Sequence, residues 1–139
     1  MTQLDEFGRT ALHYAARDAN LDEVEQLLDT EDGNLADDQG WTPLHFAANA
    51  GAPDVVTRLL GAGADIDALT DKGMPAIYWA AVAKRGNPVE TIRVLRAHGA
   101  DPTRETIETY FGLRSPLQFI TETGNKPEIR AEFGDLINE

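Results

Sequence analysis

Apolar residues recur along this chain in blocks of helical spacing, and the blocks themselves recur. Leu12, Ala15 and Ala16 fall at i, i+3 and i+4, which is one face of a helix. The same face returns as Leu44, Ala47 and Ala48, and again as Ile77, Ala80 and Ala81. A second apolar face follows each block: Val24, Leu27 and Leu28, then Val55, Val56, Leu59 and Leu60, then Ile92, Val94 and Leu95. Between the paired faces, Asn20, Gly51 and Gly86-Asn87 break the chain. The pattern predicts helix–turn–helix units. The small alanines predict that neighbouring helices approach closely.

The blocks share a motif as well as a period. Gly8-Arg9-Thr10-Ala11-Leu12-His13-Tyr14-Ala15-Ala16 is followed by Gly40-Trp41-Thr42-Pro43-Leu44-His45-Phe46-Ala47-Ala48. Gly73-Met74-Pro75-Ala76-Ile77-Tyr78-Trp79-Ala80-Ala81 is a third copy, and Ser115-Pro116-Leu117-Gln118-Phe119-Ile120 a weaker fourth. Leu12, Leu44, Ile77 and Leu117 are spaced by 32, 33 and 40 residues. Thr10 and Thr42 stand where a helix N-cap is wanted, and Pro43 and Pro116 suit a first turn that needs no N–H. Gly63 and Gly99 lie just past second helices, the place for a left-handed C-cap. A single helix pair cannot bury its apolar face alone, so the pairs are expected to stack into a solenoid.

These motifs resemble the ankyrin-repeat family, whose signature runs Thr-Pro-Leu-His-x-Ala-Ala, Leu-Leu, Gly-Ala-Asp. Gly63-Ala64-Asp65 and Gly99-Ala100-Asp101 carry the closing part. The departures are Ala11 in repeat one, Pro75-Ala76 and Tyr78 in repeat three, and a degenerate fourth repeat. The resemblance implies an all-α ankyrin-repeat solenoid of stacked helix–turn–helix units with β-hairpin-like fingers. One domain over 1–139 is expected, with repeats at about 5–36, 37–69, 70–102 and 103–139. The last reads as a cap, its second helix running through Ile129, Phe133, Leu136 and Ile137. Glu128, Arg130, Glu132, Asp135 and Glu139 are expected to turn its polar face to water.

The long third spacing locates two insertions. Three extra residues fall near Ala83-Lys84-Arg85-Gly86-Asn87-Pro88, and four in the finger 103–114. That finger holds Thr106-Ile107-Glu108-Thr109-Tyr110-Phe111, rich in strand formers, and predicts a longer hairpin. Insertions in solenoids map to surface loops and often to the binding face. The hairpin is read either as a partner surface or as a fold-back that seals the fourth repeat.

Charge narrows the functions. The chain holds 24 acidic and 12 basic residues among 139, for a net charge of −12. Eleven of the acids but only Arg9 and Arg17 lie in residues 1–40, a net of −9 there. Such a balance argues against gripping nucleic acid or anionic lipid, and suits either solubility or a basic partner. There is no cysteine, so there is no disulfide and no thiolate. The opening residues Met1 to Glu6 are acidic and carry no apolar stretch, so no secretory signal is expected and the protein is expected to be cytoplasmic. A monomer is expected in isolation.

The candidate chemistry has bland readings. His13 and His45 share one repeat position, three after a threonine, where they can bond the threonine and tie units together; the resemblance implies the same role. His98 precedes Gly99 and sits well against a helix C-terminus. No matched nucleophile or ligand cluster accompanies them, so no catalytic residue, no metal and no cofactor is expected, and the chain is not read as an enzyme. Gly61-Ala62-Gly63-Ala64 follows a helix and lacks the Lys-Ser/Thr ending of a phosphate loop. Tyr14, Phe46, Trp79 and Phe119 form a column expected to pack between stacked helix pairs.

The resemblance implies a protein-interaction module binding through its concave face and fingers. Trp41, with its counterparts Arg9, Met74 and Arg114, sits at the finger-to-helix junction, and Trp and Arg are favoured interface anchors. Glu6, Phe7, Asp37, Asp38 and Lys72 in the fingers, Arg17 and Asn49 near the first-helix ends, and Ile107, Tyr110 and Phe111 in the long finger complete the candidate surface. The partner is read as another protein. The sharper form is a basic effector, with this chain an immunity protein neutralising a basic toxin. The alternative is an intracellular regulatory adaptor or inhibitor of an endogenous enzyme.

Overall fold

The computed structural model describes residues 4–122 and 125–137. The first helices of the repeats are α1 (Ala11–Arg17), α3 (Pro43–Asn49), α5 (Ala76–Ala81) and α7 (Pro116–Glu122). The second helices are α2 (Leu21–Leu27), α4 (Pro53–Gly61), α6 (Pro88–Ala97) and α8 (Pro127–Ala131). Each first helix packs on its own second helix and on the first helix of the next repeat, and the second helices stack likewise. Two parallel rows of helices result, with the core between them: an all-α solenoid.

The core is the pattern read from the sequence. Leu12, Leu44 and Ile77 are at most 1% exposed, and the alanine pairs beside them at most 3%. Val24, Val55, Val56, Leu59, Ile92 and Leu95 close it from the second row. In repeat four the alanine positions hold Ile120 and Thr121, whose bulk keeps α7 from seating on α5 as closely as α5 seats on α3.

Helix ends follow local chemistry. Gly63 (φ +95°) and Gly99 (φ +96°) end α4 and α6 in a left-handed turn. There Ala64 N–H reaches the Leu59 carbonyl and Ala100 N–H that of Leu95. Helix α1 ends on the same pair of bonds with an alanine, Ala19, at φ +56°.

The connection between α5 and α6 is three residues longer than that between α3 and α4, as the spacing predicts. It folds back across repeat two. Asn87 N–H donates to the Gly51 carbonyl at 2.7 Å, and the Arg85 guanidinium to the Arg17 carbonyl of repeat one. The finger of repeat four is the expected hairpin: β1 (Ile107–Thr109) pairs antiparallel with β2 (Gly112–Arg114), Ile107 opposite Arg114.

Two expectations for the cap are corrected. Helix α8 stops at Ala131, and Phe133, Leu136 and Ile137 lie in the turns beyond it. After Ala131 the backbone tightens to i→i−3 bonds, Phe133 to Arg130 and Gly134 to Ala131, with Gly134 a poor helix former. Phe133 still buries completely. Glu132 turns in from water, its side chain 15% exposed, while Asp135 stays exposed as expected but is tied down. Arg93 grips Glu132 at 2.7 and 3.1 Å, and Arg96 grips Asp135 at 2.8 and 2.7 Å, clamping the cap to α6. Glu139 lies outside the described residues.

Candidate functional site

Each of the first three fingers is a tight turn stabilised from within. Asp37 Oδ1 accepts from the N–H groups of Gln39 and Trp41, both at 2.9 Å, and Asp5 Oδ1 does the same for Phe7 and Arg9. In repeat three Thr70 takes that position, and its hydroxyl lies 3.2 Å from the Met74 carbonyl. Successive fingers are tied by one backbone bond each: Asp38 N–H to the Phe7 carbonyl, Asp71 to Gln39, and Glu108 to Lys72, at 2.8–2.9 Å. Fingers three and four meet so closely that a Cβ at Gly73 would stand 1.7 Å from the Thr106 carbonyl oxygen. All three of these donors, Asp38, Asp71 and Glu108, are exposed acids, and so is Glu6 in finger one.

The histidines belong to the scaffold. His13 Nδ1 accepts from Thr10 N–H at 2.9 Å, so its Nε2 carries the proton, and that donates to the Trp41 carbonyl of the next repeat at 3.1 Å. His45 repeats this with Thr42 (3.0 Å) and the Ala68 carbonyl (2.9 Å). Burial lowers both pKa values, that of His45 to about 4, so both rings stay neutral. Gln118 does the capping in repeat four, its Oε1 accepting from Ser115 N–H at 2.7 Å. Tyr78 instead packs edge-on to Trp79 and Phe119. His98 caps α6, its Nδ1 2.8 Å from the Val94 carbonyl.

An aromatic row runs across the first helices and finger bases. Phe46 meets Trp41 at 4.9 Å between ring centres, Trp41 meets Trp79 at 4.3 Å, Trp79 meets Tyr78 at 5.0 Å, and Tyr78 meets Phe119 at 5.7 Å. Tyr14, Phe46, Trp41, Trp79 and Phe119 are all half-buried, so the row both packs the repeats and shows to solvent. Arg9 covers one end. Its guanidinium lies 5.0 Å from the Phe46 centroid and 4.9 Å from Phe7, and its Nε bonds Asp37 at 3.0 Å. Arg114 covers the other end, 6.0 Å over Phe119 and paired with Glu122.

The candidate surface residues therefore separate by what they touch. Tyr110 and Phe111 form the hairpin tip, 95% and 87% exposed, with their rings edge to face. Glu6, Phe7, Asp38 and Lys72 are exposed at the fingertips, and Arg17 is exposed over Tyr14. Trp41 and Met74 are half-buried and line one groove with Gln39, Thr70, Asp71, Lys72 and Trp79. Asn49 is half-buried and donates to the Trp79 carbonyl at 3.1 Å. Two candidates point inward. The Asp37 side chain is 1% exposed and holds its finger, and Ile107 is 0% exposed, seating the hairpin on the body. Neither side chain can meet a partner directly. Asp71 and Trp79 join the surface without having been singled out for it. Their signal was adjacency to Lys72 and the repeat register of Trp79, which alone reads as packing.

Comparison with known proteins places this geometry in context. A family model described as Ankyrin repeats (3 copies) matches residues 1–70. BCL-6 corepressor-like protein 1 of Homo sapiens is 37% identical over 107 residues, covering 76% of this chain and 6% of its own length. Protein phosphatase 1 regulatory subunit 27 of Homo sapiens is 43% identical over 67 residues, 48% of this chain and 44% of that protein. Neurogenic locus notch homolog protein 1 of Homo sapiens is 31% identical over 134 residues, 71% of this chain and 5% of that protein. The chain thus spans less than half the length of each of these relatives. No helix among the described residues is long and apolar enough to cross a membrane.

Proposed function

This chain belongs to the ankyrin-repeat family, and on that premise we propose that it is a non-catalytic module that binds a protein partner through its fingers and first helices. The observation that carries this reading is the hairpin tip. Tyr110 and Phe111 hold two aromatic rings in water at the end of an insertion, where folding gains nothing from them. Aromatic side chains so placed contribute when a partner buries them.

The partner surface is read as basic. At least one exposed carboxylate stands on each finger, Glu6, Asp38, Asp71 and Glu108 among them, beside the apolar contacts. Such a row steers a cationic partner and makes association fall with salt. The immunity form of this reading, with a basic toxin as partner, rests on acidity alone. The regulatory-adaptor form gains one support, the likeness to a protein named as a phosphatase regulatory subunit. Co-expression with a candidate toxin, and inhibition of a candidate enzyme, separate the two.

The reading is tested by cross-linking to captured partners and mapping the sites. Cross-links should concentrate on the fingertips, and a Tyr110→Ser/Phe111→Ser variant that keeps its melting temperature should lose roughly tenfold or more in affinity. Cross-links confined to the second helices, with binding unchanged in that variant, would overturn it.

A further inference from the structure

The two ends of the aromatic row carry the same arrangement. At one end the Arg9 guanidinium lies over Phe46 and pairs with Asp37; at the other the Arg114 guanidinium lies over Phe119 and pairs with Glu122. Arg9, Trp41, Met74 and Arg114 occupy one position of successive repeats. The middle two positions therefore supply no guanidinium. Among the described residues, no cation lies over the Trp41 or Trp79 ring. What stands there is a groove of about 310 Å³, walled by Trp41, Trp79 and Met74 and rimmed by Asp71, Gln39 and Lys72.

We propose that this groove receives an arginine side chain from a basic partner segment, its guanidinium stacked on the Trp41–Trp79 pair and paired with Asp71. The inference rests on the protein-binding reading of this face and names the partner chemistry it takes. Indole has the most attractive face for a cation among the aromatic side chains. Asp71 is exposed and tied in place through its backbone N–H, so its carboxylate is free to meet a donor fork from outside. Arginine fits better than lysine, because a planar guanidinium both stacks and bonds a carboxylate in two places. Lys72 on the rim opposes the incoming charge, which makes it the natural control.

Trp41 and Trp79 are the only two tryptophans of the chain, so their indole N–H signals report on this groove alone. The probe is an acetyl-Gly-Arg-Gly-Arg-Gly amide peptide, titrated against the citrulline version, which keeps the shape and loses the charge. Both indole signals should shift saturably with the arginine peptide. The citrulline peptide should bind about five- to tenfold more weakly. Asp71→Asn, which keeps the backbone N–H, should weaken the arginine peptide by a similar factor, and Lys72→Asn should tighten it. Opposite responses of two adjacent, exposed positions cannot come from loss of fold. Equal binding of both peptides, unmoved indole signals, or a Lys72→Asn variant that binds no better would each overturn the proposal. Partner cross-links at the fingertips with silent indoles would overturn it and leave the protein-binding reading standing.

Discussion

His45 shows how one buried ring makes stability depend on pH. Burial lowers its pKa from 6.5 to about 4. Between those values the unfolded chain binds a proton that the folded chain does not. Stability is therefore fully present above pH 6.5 and falls as pH drops toward 4. The gap corresponds to roughly 3 kcal/mol over the whole window. His13, also lowered by burial, acts in the same direction. Gln118 already fills this capping role in repeat four, so His45→Gln should fold. It should flatten the rise of the urea midpoint between pH 4 and 6.5, at a cost of about 1–2 kcal/mol at pH 7 where the Ala68 carbonyl loses its donor. Ala19 is the other residue with an energetic signature. It holds φ +56° where helix α3 has Gly51 at φ +63°. Relief of that strain exceeds the extra unfolded-state entropy of glycine, so Ala19→Gly should raise stability by roughly 0.5 kcal/mol in denaturant unfolding.

At the scale of elements, the cap adds ion pairs to the buried Ile120, Ile129 and Phe133, where the other repeats rely on alanine-lined contacts. Ile120 and Thr121 replace the alanine pair, and α8 runs only over Pro127–Ala131. The Arg93–Glu132 and Arg96–Asp135 forks add to that packing, with the Arg96 guanidinium 5.6 Å over Phe133. The hydrogen-bonded Arg96 guanidinium holds the Asp135 carboxyl below the usual range. An Arg93→Ala/Arg96→Ala variant should lose hydrogen-exchange protection in α8 while α3 and α4 keep theirs. The same loss in high salt, without mutation, would mark the clamp as electrostatic. The cap was only half legible in sequence. Ile129 and Phe133 announced a buried face, but nothing in the periodicity told that Glu132 and Asp135 face Arg93 and Arg96 nearly forty positions away.

For the whole molecule, the solenoid makes stability a sum of units and interfaces. Its central interfaces, α1 with α3 and α3 with α5, are the alanine-lined ones, and the interface to repeat four is the exception. Unfolding should therefore begin at repeat four. Hydrogen exchange should rank α7 and α8 fastest and α3 and α4 slowest, and equal rates throughout would contradict this order. Net charge also resolves into places. The surplus of residues 1–40 divides between the outer helix, with Asp22, Glu23 and Glu25 exposed, and the fingertips, with Glu6 and Asp38 exposed. One total of −12 thus describes two faces with different company.

By itself the sequence determined the first three repeats, their helices, the helix ends within them and the site of both insertions. These rest on local physics: a threonine and a histidine three apart, a glycine past a helix, an alanine pair at i+3 and i+4. The lengths of the connections followed by subtraction, and the strand-forming residues of 103–114 told of the hairpin. Only the tertiary structure decided which side chains of the fingers face inward. Asp37 and Ile107 are as polar or apolar as many surface residues, and are buried because the neighbouring repeat closes over them. The clamp on the cap, the reach of Arg85 to repeat one, and the groove lined by the touching Trp41 and Trp79 rings have the same origin. Each joins residues from different repeats, and a contact between repeats depends on how the units stack, which no single period records.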